Sequence, residues 1–427
     1  MELKAILSAA FSLCLCACVP AVAPQDVEPQ PLSSDYAFLE DEAPKALTKA
    51  EEAKVAQLND FAFAFSNCLQ EQAGSYVYSP VSIAFVLGML SEGAAGQTRS
   101  EICAALGFDP EDQQGINEFC RDLCVIAKRA ASKKEALEIA NAILADKSIP
   151  VKESFCRNVK GYYNADILQM DFNTEDVASY INKWAAERTH DRITHVVDNI
   201  PPSIFSVFIN ALYFKASWAD GFMEVLTSEG PFKGADGKTR TEMMMHKKAE
   251  YIRTQYARGS NFSMVSLPYG EELRYPGQFE MSFLLPDDGI SVEKVLSGLD
   301  GKAWADIHAA LSKELVDLMI PRFETSSDLD INSILKKLGI RTAYDSIKAD
   351  FSNFSSAQLW IDTVKHIANI SVDEKGTEAA AVTVAMMAGA TPDAPKPQFI
   401  EFHADRPFIF AITEKTTGAI LFLGCYR

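Results

Sequence analysis

Positive charge is scarce in this chain. Lysine and arginine number 40 against 58 aspartate and glutamate, so the formal net charge is −18 at pH 7. A chain this acidic repels phosphate backbones, and nucleic acid is therefore not expected as a partner. One small basic cluster is present, and a solvated helix face explains it more simply than polyanion binding: Lys128, Arg129, Lys133 and Lys134. We therefore expect no activation by polyanions.

Motifs of catalysis and metal binding are also missing. The sequence has no Gly-x-Ser-x-Gly elbow, no His-Glu-x-x-His and no phosphate-binding loop. No histidine is spaced for a metal site, the six being His190, His195, His246, His308, His366 and His403. The cysteines downstream of the N-terminus form no zinc-type pairs and lie in apolar contexts suited to buried thiols: Cys68, Cys103, Cys120, Cys124, Cys156 and Cys425. We expect neither an enzyme nor a bound metal or cofactor.

No hydrophobic run at the N-terminus is long enough to span a bilayer. Lys4 precedes an apolar stretch, residues 5–17, of signal-peptide length. It ends in Leu-Cys-Ala-Cys18, which resembles a bacterial lipobox, so Cys18 is the candidate lipid anchor after a signal peptide of residues 1–17. Ordinary secretion after signal cleavage is the alternative. Residues 18–44 begin Pro-rich and are expected to be a disordered tether. The expected location is the bacterial cell envelope, on the outer membrane or cell surface, facing the periplasm or the exterior.

In the remaining chain, residues 45–427, no change in composition marks a domain boundary. Apolar residues recur at helical spacing in its first part, as in Ala46 to Leu69, and strand-like runs dominate beyond Ser203. There is no internal repeat and no linker. Helices first and strands later, without strict alternation, predict one α+β domain with large, mostly antiparallel sheets.

One segment, Ser371 to Thr391, has an unusual composition. From Ala379 onward it carries no charge, no proline and few bulky side chains. Such a stretch is also good helix-forming material. It can equally enter an existing sheet as an added strand, because neither face carries a side chain that resists burial. Pro392 ends the pattern, since proline is excluded from central strands.

The start of this segment resembles the hinge of the reactive-centre loop of serpins. The contiguous residues are Glu374-Lys-Gly-Thr-Glu-Ala-Ala380. Further stretches resemble serpin motifs in the same order along residues 45–427: Ser79-Pro-Val-Ser-Ile83, Phe208 to Lys215 with Trp218, Leu267-Pro-Tyr269, Phe402 to Phe410, and Gly418 to Gly424. The resemblance implies the serpin fold, an α+β single domain with three β-sheets, about eight to nine helices and an exposed reactive-centre loop.

The resemblance also implies roles for individual residues. The hinge comprises Glu374, Gly376, Thr377, Glu378, Ala379, Ala380 and Ala381. Four polar residues form the shutter beneath the main sheet, where its strands part: Ser79, Ser82, Asn210 and His366. At the breach, where the loop enters, Trp218 is expected to pack, and Arg322 either pairs with Glu374 or is solvated.

Three departures from the family pattern stand out. Ser75 replaces the asparagine common four residues before Ser79, and Asp191 replaces the glycine of a Gly-Lys-Ile pattern. The stretch 391–407 is longer than usual and rich in proline, which bears on the position of the scissile bond.

The function that the resemblance implies is inhibition of a protease by a suicide mechanism from a metastable native fold. The family's usual spacing from Glu374 places the scissile bond between Ala390 and Thr391, with Met386 and Met387 as alternative bait residues. A small bait residue favours elastase-like or subtilisin-like serine proteases, and papain-like cysteine proteases remain open. Trypsin-like targets are not expected, because no lysine or arginine lies in 376–395. We expect a monomer whose partner is the target protease.

Two alternatives remain. A non-inhibitory serpin, acting as a binding or chaperone-like protein, would keep the fold without trapping a protease. A surface-tethered decoy would simply be consumed as a substrate. The small hinge residues favour the inhibitor over the binding protein, whereas the sequence does not separate inhibitor from decoy.

Overall fold

The structure is a computed structural model that describes residues 29–32, 35–42, 46–69, 74–131, 135–201, 203–247, 253–272, 275–377 and 399–427. The predicted signal peptide and the lipid anchor Cys18 lie outside the described residues. So do the hinge residues Glu378, Ala379, Ala380 and Ala381, the alternative baits Met386 and Met387, and the predicted scissile bond Ala390–Thr391.

Nine α-helices occur in the described part of the chain. In chain order they are α1 (Lys49–Cys68), α2 (Pro80–Gly93), α3 (Gly96–Ala105), α4 (Gln113–Ala130), α5 (Glu153–Tyr163), α6 (Val177–Arg188), α7 (Val292–Leu296), α8 (Gly301–Ala309) and α9 (Asn332–Lys337).

Seventeen strands accompany them in the same described ranges. The first eight are β1 (Gln30–Pro31), β2 (Tyr76–Tyr78), β3 (Glu135–Asp146), β4 (Ala165–Met170), β5 (Ser206–Ser217), β6 (Ser228–Lys233), β7 (Thr239–Lys247) and β8 (Arg253–Arg258). The remaining nine are β9 (Phe262–Glu272), β10 (Tyr275–Pro286), β11 (Ser312–Pro321), β12 (Phe323–Asp330), β13 (Lys365–Asp373), β14 (Gly376–Thr377), β15 (Ile400–His403), β16 (Phe408–Glu414) and β17 (Ala419–Tyr426).

The strands form three sheets, two of which share a strand. A seven-stranded sheet has the order β1-β4-β3-β5-β14-β13-β12. The other two sheets, which share β11, have the continuous strand order β2-β17-β16-β10-β9-β8-β11-β7-β6, and β15 also pairs with β11. The two ends of β11 belong to different sheets, because Ser312 to Leu315 pair with β8 and later residues pair with β7 and β15. The α+β architecture predicted from the sequence is confirmed.

Helix α2 is the buried centre of the helical layer. Ser79 caps it by accepting a hydrogen bond from the backbone N–H of Ser82, and Pro80 occupies the first turn, where its missing N–H costs nothing. Every residue of the helix except Val86 is buried. Because α2 is buried, Ser79 and Ser82 at its N-terminus can form hydrogen bonds with residues of the seven-stranded sheet.

Helix α6 lies on the opposite face of the seven-stranded sheet. Its apolar residues Ile181 and Trp184 form a small core with Leu144 of β3 and Ile209 of β5. The helix and the connection that follows it therefore cover β3 and β5 from outside.

Residues 29–32 and 35–42 correct the predicted extent of the tether. The sequence assigned 18–44 to a disordered segment, but Gln30 and Pro31 pair with β4 as an edge strand. The backbone N–H of Leu39 donates to the carbonyl of Gly161 at 3.0 Å, and the Arg157 guanidinium lies over the ring of Tyr36. Apolar side chains within the acidic segment explain this docking, since they bury surface against α5.

Two further observations concern the chain as described. All six of its cysteines are free thiols, and five of them are buried. A search of its helices for one both long and apolar enough to cross a lipid bilayer finds none.

Candidate functional site

The first residues of the predicted loop already lie inside the seven-stranded sheet. Gly376 pairs with Ser217 of β5 on one side and with Asp373 on the other. Thr377 pairs likewise with Ala216 and Val372. The two residues of β14 are thus the beginning of a strand between β5 and β13.

Gly376 occupies a position that only glycine fits. Its φ is +146°, a backbone conformation that side-chain-bearing residues rarely adopt. A Cβ atom there would lie 2.1 Å from the carbonyl oxygen of Ala216 and 2.8 Å from the Cα of Ser217. The chain can approach β5 this closely only because the side chain is absent.

Thr377 is buried under an aromatic pair. The Thr377 hydroxyl lies 2.8 Å from the Tyr269 hydroxyl, and Thr377 is 2% exposed. The Tyr269 ring stacks on Trp218 with centroids 4.4 Å apart and planes 7° from parallel. The indole N–H of Trp218 donates a hydrogen bond to the backbone carbonyl of Asp373. The backbone N–H of Trp218 donates to the backbone carbonyl of Lys375. The predicted breach residue therefore holds the backbone that leads into β14.

Glu374 lies at the end of the gap between β5 and β13 where β14 enters, which we call the upper end. Its carboxylate accepts hydrogen bonds from the Arg322 guanidinium at 2.6 Å and from the Thr227 hydroxyl at 2.7 Å. Burial raises the pKa of Glu374, but these two hydrogen bonds outweigh it and leave the pKa below its ordinary value. The pairing of Arg322 with Glu374, one of the two arrangements considered from the sequence, is present.

A chain of polar side chains crosses the same gap farther down. His366 of β13 accepts a hydrogen bond at its Nε2 from the backbone N–H of Ser79, at 3.0 Å. The Ser79 hydroxyl accepts from the backbone N–H of Ser82, whose own hydroxyl donates to Asn210 of β5. The structure thus brings together the four predicted shutter residues, and α2 links the strands on the two sides of the gap.

His366 is the titratable member of this chain. His366 is 6% exposed, and burial lowers the pKa of its imidazole to about 4. The ring is therefore neutral at pH 7, which lets Nε2 act as an acceptor. A neutral acceptor at this depth needs no counter-ion and can exchange partners at small cost.

A cavity of about 410 Å³ adjoins the chain of polar residues. Ser82, Asn210 and His366 line it, together with Trp184 of α6 and Trp360. The lower part of the gap between β5 and β13 therefore contains empty space, whereas its upper end is filled by β14.

The departures from the family pattern have structural counterparts. The Ser75 hydroxyl accepts from the backbone N–H of Arg427 at 2.9 Å and does not join the chain of shutter residues. Asp191 and His190 both adopt left-handed backbone conformations, with φ of +61° and +50°. Asp191 thus keeps the positive φ that the glycine of the family pattern accommodates without strain.

Three residues of the site were not predicted from the sequence. Asn141 of β3 accepts from the Asn210 amide at 2.7 Å, extending the polar chain to a third strand. Tyr269 and Thr227 contact the loop residues Thr377 and Glu374, as described above. An asparagine inside the apolar run of β3 was the available signal, because such a residue must find a buried partner.

No cluster of histidine, cysteine, aspartate and glutamate suited to a metal ion occurs among the described residues. The candidate site is instead a partly filled gap in a sheet, with neutral polar side chains beneath it.

Comparison with known proteins identifies the family. The family model of the serpins, described as serine protease inhibitors, matches residues 56–427. Serpin-ZX of Arabidopsis thaliana is 33% identical over 373 residues, which are 83% of this chain and 92% of that protein. Leukocyte elastase inhibitor of Bos taurus is 31% identical over 367 residues, covering 82% and 92%. The chain belongs to the serpin family.

A solved structure gives the same result for the fold. The thermophilic serpin tengpin in its native state superimposes with a TM-score of 0.82 at 26% identity, covering 94% of this chain and 99% of tengpin. The serpin fold predicted from the sequence motifs is thereby confirmed.

Proposed function

We propose that this serpin is a suicide inhibitor of a protease with a small primary specificity pocket. The observation that carries the proposal is the two-residue strand β14, which enters the seven-stranded sheet above an unfilled cavity. After Glu378, residues 379–391 are uncharged and include few bulky side chains. A strand begun in this way can be extended if the loop is released at its other end.

The chemistry belongs to the protease, and the inhibitor supplies the acyl group. The nucleophile of the target attacks the carbonyl carbon of the bait residue Ala390, and the Ala390–Thr391 bond breaks as the amine of Thr391 takes a proton. The bait residue is then an ester or thioester on the protease. Insertion of the released segment between β5 and β13 draws the acyl-enzyme along and distorts its oxyanion hole, so hydrolysis of the acyl bond stalls.

Free energy for this motion comes from the sheet. Extension of β14 adds backbone hydrogen bonds along the facing edges of β5 and β13 and fills the cavity with small side chains. The polar chain from His366 to Asn210 must re-pair as the strands separate, and its neutral groups permit this.

The target class follows from the bait. An alanine fits elastase-like and subtilisin-like serine proteases, and a papain-like cysteine protease forms the equivalent thioester. The relative named leukocyte elastase inhibitor supports an elastase-like target for a chain of this family.

We further propose that the mature protein is a monomer held at the bacterial cell envelope by a lipid on Cys18, on the outer membrane or cell surface. The lipobox-like sequence that ends at Cys18 supports this location. Metabolic labelling with a palmitate analogue, with Cys18→Ser as the matched variant, tests it; equal labelling of both chains would contradict the anchor.

The inhibitor is tested by mixing residues 19–427 with pancreatic elastase, subtilisin and papain. We expect a band at the summed mass that survives SDS, and a released peptide whose N-terminus is Thr391. Cleavage without the stable band would favour the decoy, and resistance to cleavage would favour the non-inhibitory binding protein. An N-terminus at Met387 or Ala388 would move the bait to Met386 or Met387.

A further inference from the structure

The cavity in the lower part of the gap is lined mainly by apolar side chains. Its volume of about 410 Å³ lies within the range of roughly 300–1,000 Å³ that is usual for small-molecule sites. Residues of α2, α6, β5 and β13 and of the connection after α6 enclose it. Aromatic side chains are frequent among them: Trp184, Phe205, Phe208, Phe351, Phe354 and Trp360. Such a lining favours an aromatic ligand, because offset and edge-to-face ring contacts stabilise it in addition to the burial of apolar surface.

Two of these aromatic residues lie at the opening of the cavity. Phe205 directly precedes β5, and Trp360 lies in the connection before β13. Both line the cavity, yet 39% of Phe205 and 41% of Trp360 is exposed to solvent. The cavity therefore opens at the lower end of the sheet, next to the first residues of β5, and a ligand that entered there would cover part of both rings.

A buried polar group of the lining lacks an acceptor. The Nε2 of His366 accepts from the backbone N–H of Ser79, so the neutral ring carries its proton on Nδ1. In the described part of the chain, the bond to Ser79 is the one hydrogen bond that the ring makes. By contrast, the side chains of Ser82 and Asn210 are hydrogen-bonded to each other. The Nδ1–H is thus a donor on a buried residue that borders the cavity, and leaving it unpaired costs free energy.

The charges of the lining disfavour an ionic ligand. Its charged residues, Asp198, Asp362 and Lys365, are all exposed, and Lys365 is paired with Asp328 at 3.2 Å. No buried residue of the described lining carries a charge. An anion would pass two carboxylates and find a neutral imidazole, and a cation would find no carboxylate inside. Because an unpaired charge is costly to bury, the chemistry of the lining selects an uncharged molecule.

We propose that this cavity is a binding site for an uncharged aromatic molecule that carries a carbonyl group. The carbonyl oxygen accepts a hydrogen bond from the Nδ1–H of His366, and the rings pack among the aromatic side chains of the lining. The site goes beyond the proposed function and does not rest on it, because the cavity is present in the uncleaved chain. A chain that traps no protease would still contain the site.

Prodan, an uncharged naphthalene with a propionyl carbonyl, provides the first test. Its emission moves to shorter wavelength in apolar surroundings, so a titration of residues 19–427 at neutral pH reports its burial. We expect saturable binding with a dissociation constant on the order of 10 μM. Equilibrium dialysis should give one molecule of prodan per chain. Absence of saturable binding to the folded chain would overturn the proposal.

A pair of matched variants locates the bound probe. Trp360→Ala removes an aromatic ring at the opening, and we expect prodan to bind about fivefold more weakly. Phe399→Ala removes a ring that is 39% exposed but lies outside the lining, and it should change the affinity by less than about twofold. Thermal unfolding shows that each variant is folded. Equal weakening by the two substitutions would indicate adsorption to exposed rings and would overturn the site.

The hydrogen bond to His366 is tested with two ligands of nearly the same shape. Only one of them, 2-acetylnaphthalene, has an acceptor, and 2-isopropenylnaphthalene lacks it. Each is measured by its displacement of prodan, and the affinities are corrected for transfer from water to octanol. We expect the ketone to bind about threefold to tenfold more tightly after this correction.

A spectroscopic measurement identifies the donor without any substitution in the polar chain. In protein labelled with ¹⁵N-histidine, the Nδ1–H resonance of His366 should shift when the ketone is added and should stay in place with the hydrocarbon. A shift with the ketone alone supports the assigned acceptor. Equal corrected affinities together with an unmoved resonance would overturn the proposal, even if prodan binds elsewhere on the chain.

Discussion

The gap between β5 and β13 is closed in two different ways along its length. At the upper end, Gly376 and Thr377 form backbone ladders with both strands. Below them, in the described part of the chain, no ladder joins β5 directly to β13. The link there runs through the side chains of His366, Ser82 and Asn210 and the N-terminus of α2.

This difference separates a fixed region from an exchangeable one. Backbone ladders are cooperative, and the upper end is further held by the half-exposed ion pair between Arg322 and Glu374 and by an aromatic stack. Side-chain hydrogen bonds between neutral groups contribute about 1 kcal/mol each and can be exchanged for equivalent bonds when strands move. The upper end therefore defines where a strand enters, and the lower part determines how easily it proceeds.

The most damaging change should be a charge at the entrance. Thr377→Arg places a guanidinium where the native side chain is 2% exposed, opposite the Tyr269 hydroxyl. An unpaired buried charge costs several kcal/mol, so we expect the fraction of trapped protease to fall about 100-fold while cleavage continues. Densitometry of the SDS-stable band measures it. Thr377→Ser keeps the hydroxyl and should trap normally; undiminished trapping by the arginine variant would contradict the entrance we assign.

The lower region should respond to pH through His366. Its folded pKa of about 4 lies below the value of about 6.5 expected in the unfolded chain, so the unfolded state takes up the proton first. The contribution of the neutral ring to stability is complete above about pH 6.5 and falls, by about 3 kcal/mol in total, as the pH drops to about 4. Urea unfolding of the wild type and His366→Gln across this window measures it. Identical pH slopes would refute the assignment.

A smaller effect should follow loss of the charge on Glu374. Glu374→Gln keeps the shape but loses the pairing with Arg322, whose side chain is 48% exposed. Because solvent screens that partner, we expect a loss of about 1 kcal/mol in the free energy of unfolding. Glu324→Gln, at an exposed position on β12, is the matched control and should change stability by less than about 0.5 kcal/mol. A control loss equal to that of Glu374→Gln would remove the special role of the upper end.

The smallest predicted effect lies at the boundary between the two regions. Asp191 has a φ of +61°, and the connection after α6 that contains it lines a small space directly beside Thr377. Asp191→Gly should raise the free energy of unfolding by about 0.5–1 kcal/mol, because glycine adopts this conformation without strain. Thermal unfolding measures the change, with Asp191→Asn expected to fall between the two. A lower midpoint for the glycine variant would show that the aspartate side chain is stabilising.

Much of the site follows from local sequence motifs. The Ser-Pro-Val-Ser-Ile stretch, Asn210 and His366 were assigned to one cluster, and they lie in one hydrogen-bonded chain. Residues 374–377 were assigned to the hinge from a contiguous pattern, and two of them, Gly376 and Thr377, form β14. Motifs identify these residues because their positions in the fold require particular side chains or, at Gly376, the absence of one.

Other contacts depend on packing between distant segments. Thr227 reaches Glu374 because a short 3₁₀ turn directs the chain over β7, and no local pattern specifies that path. The docking of residues 35–42 was missed because composition indicated a tether, while the deciding contacts are with α5, far along the chain. Composition describes a segment by itself and does not show what a neighbouring surface offers it.

The position of β1 fixes where the N-terminal segment is attached to the seven-stranded sheet. Gln30 pairs with Gln169, in the row of Ser206. Thr377 pairs with Ala216, about 33 Å farther along β5. If the proposed lipid on Cys18 holds the protein, β1 attaches the described chain to the sheet at the end opposite the one where Gly376 and Thr377 enter, so the two are separated by most of the length of β5.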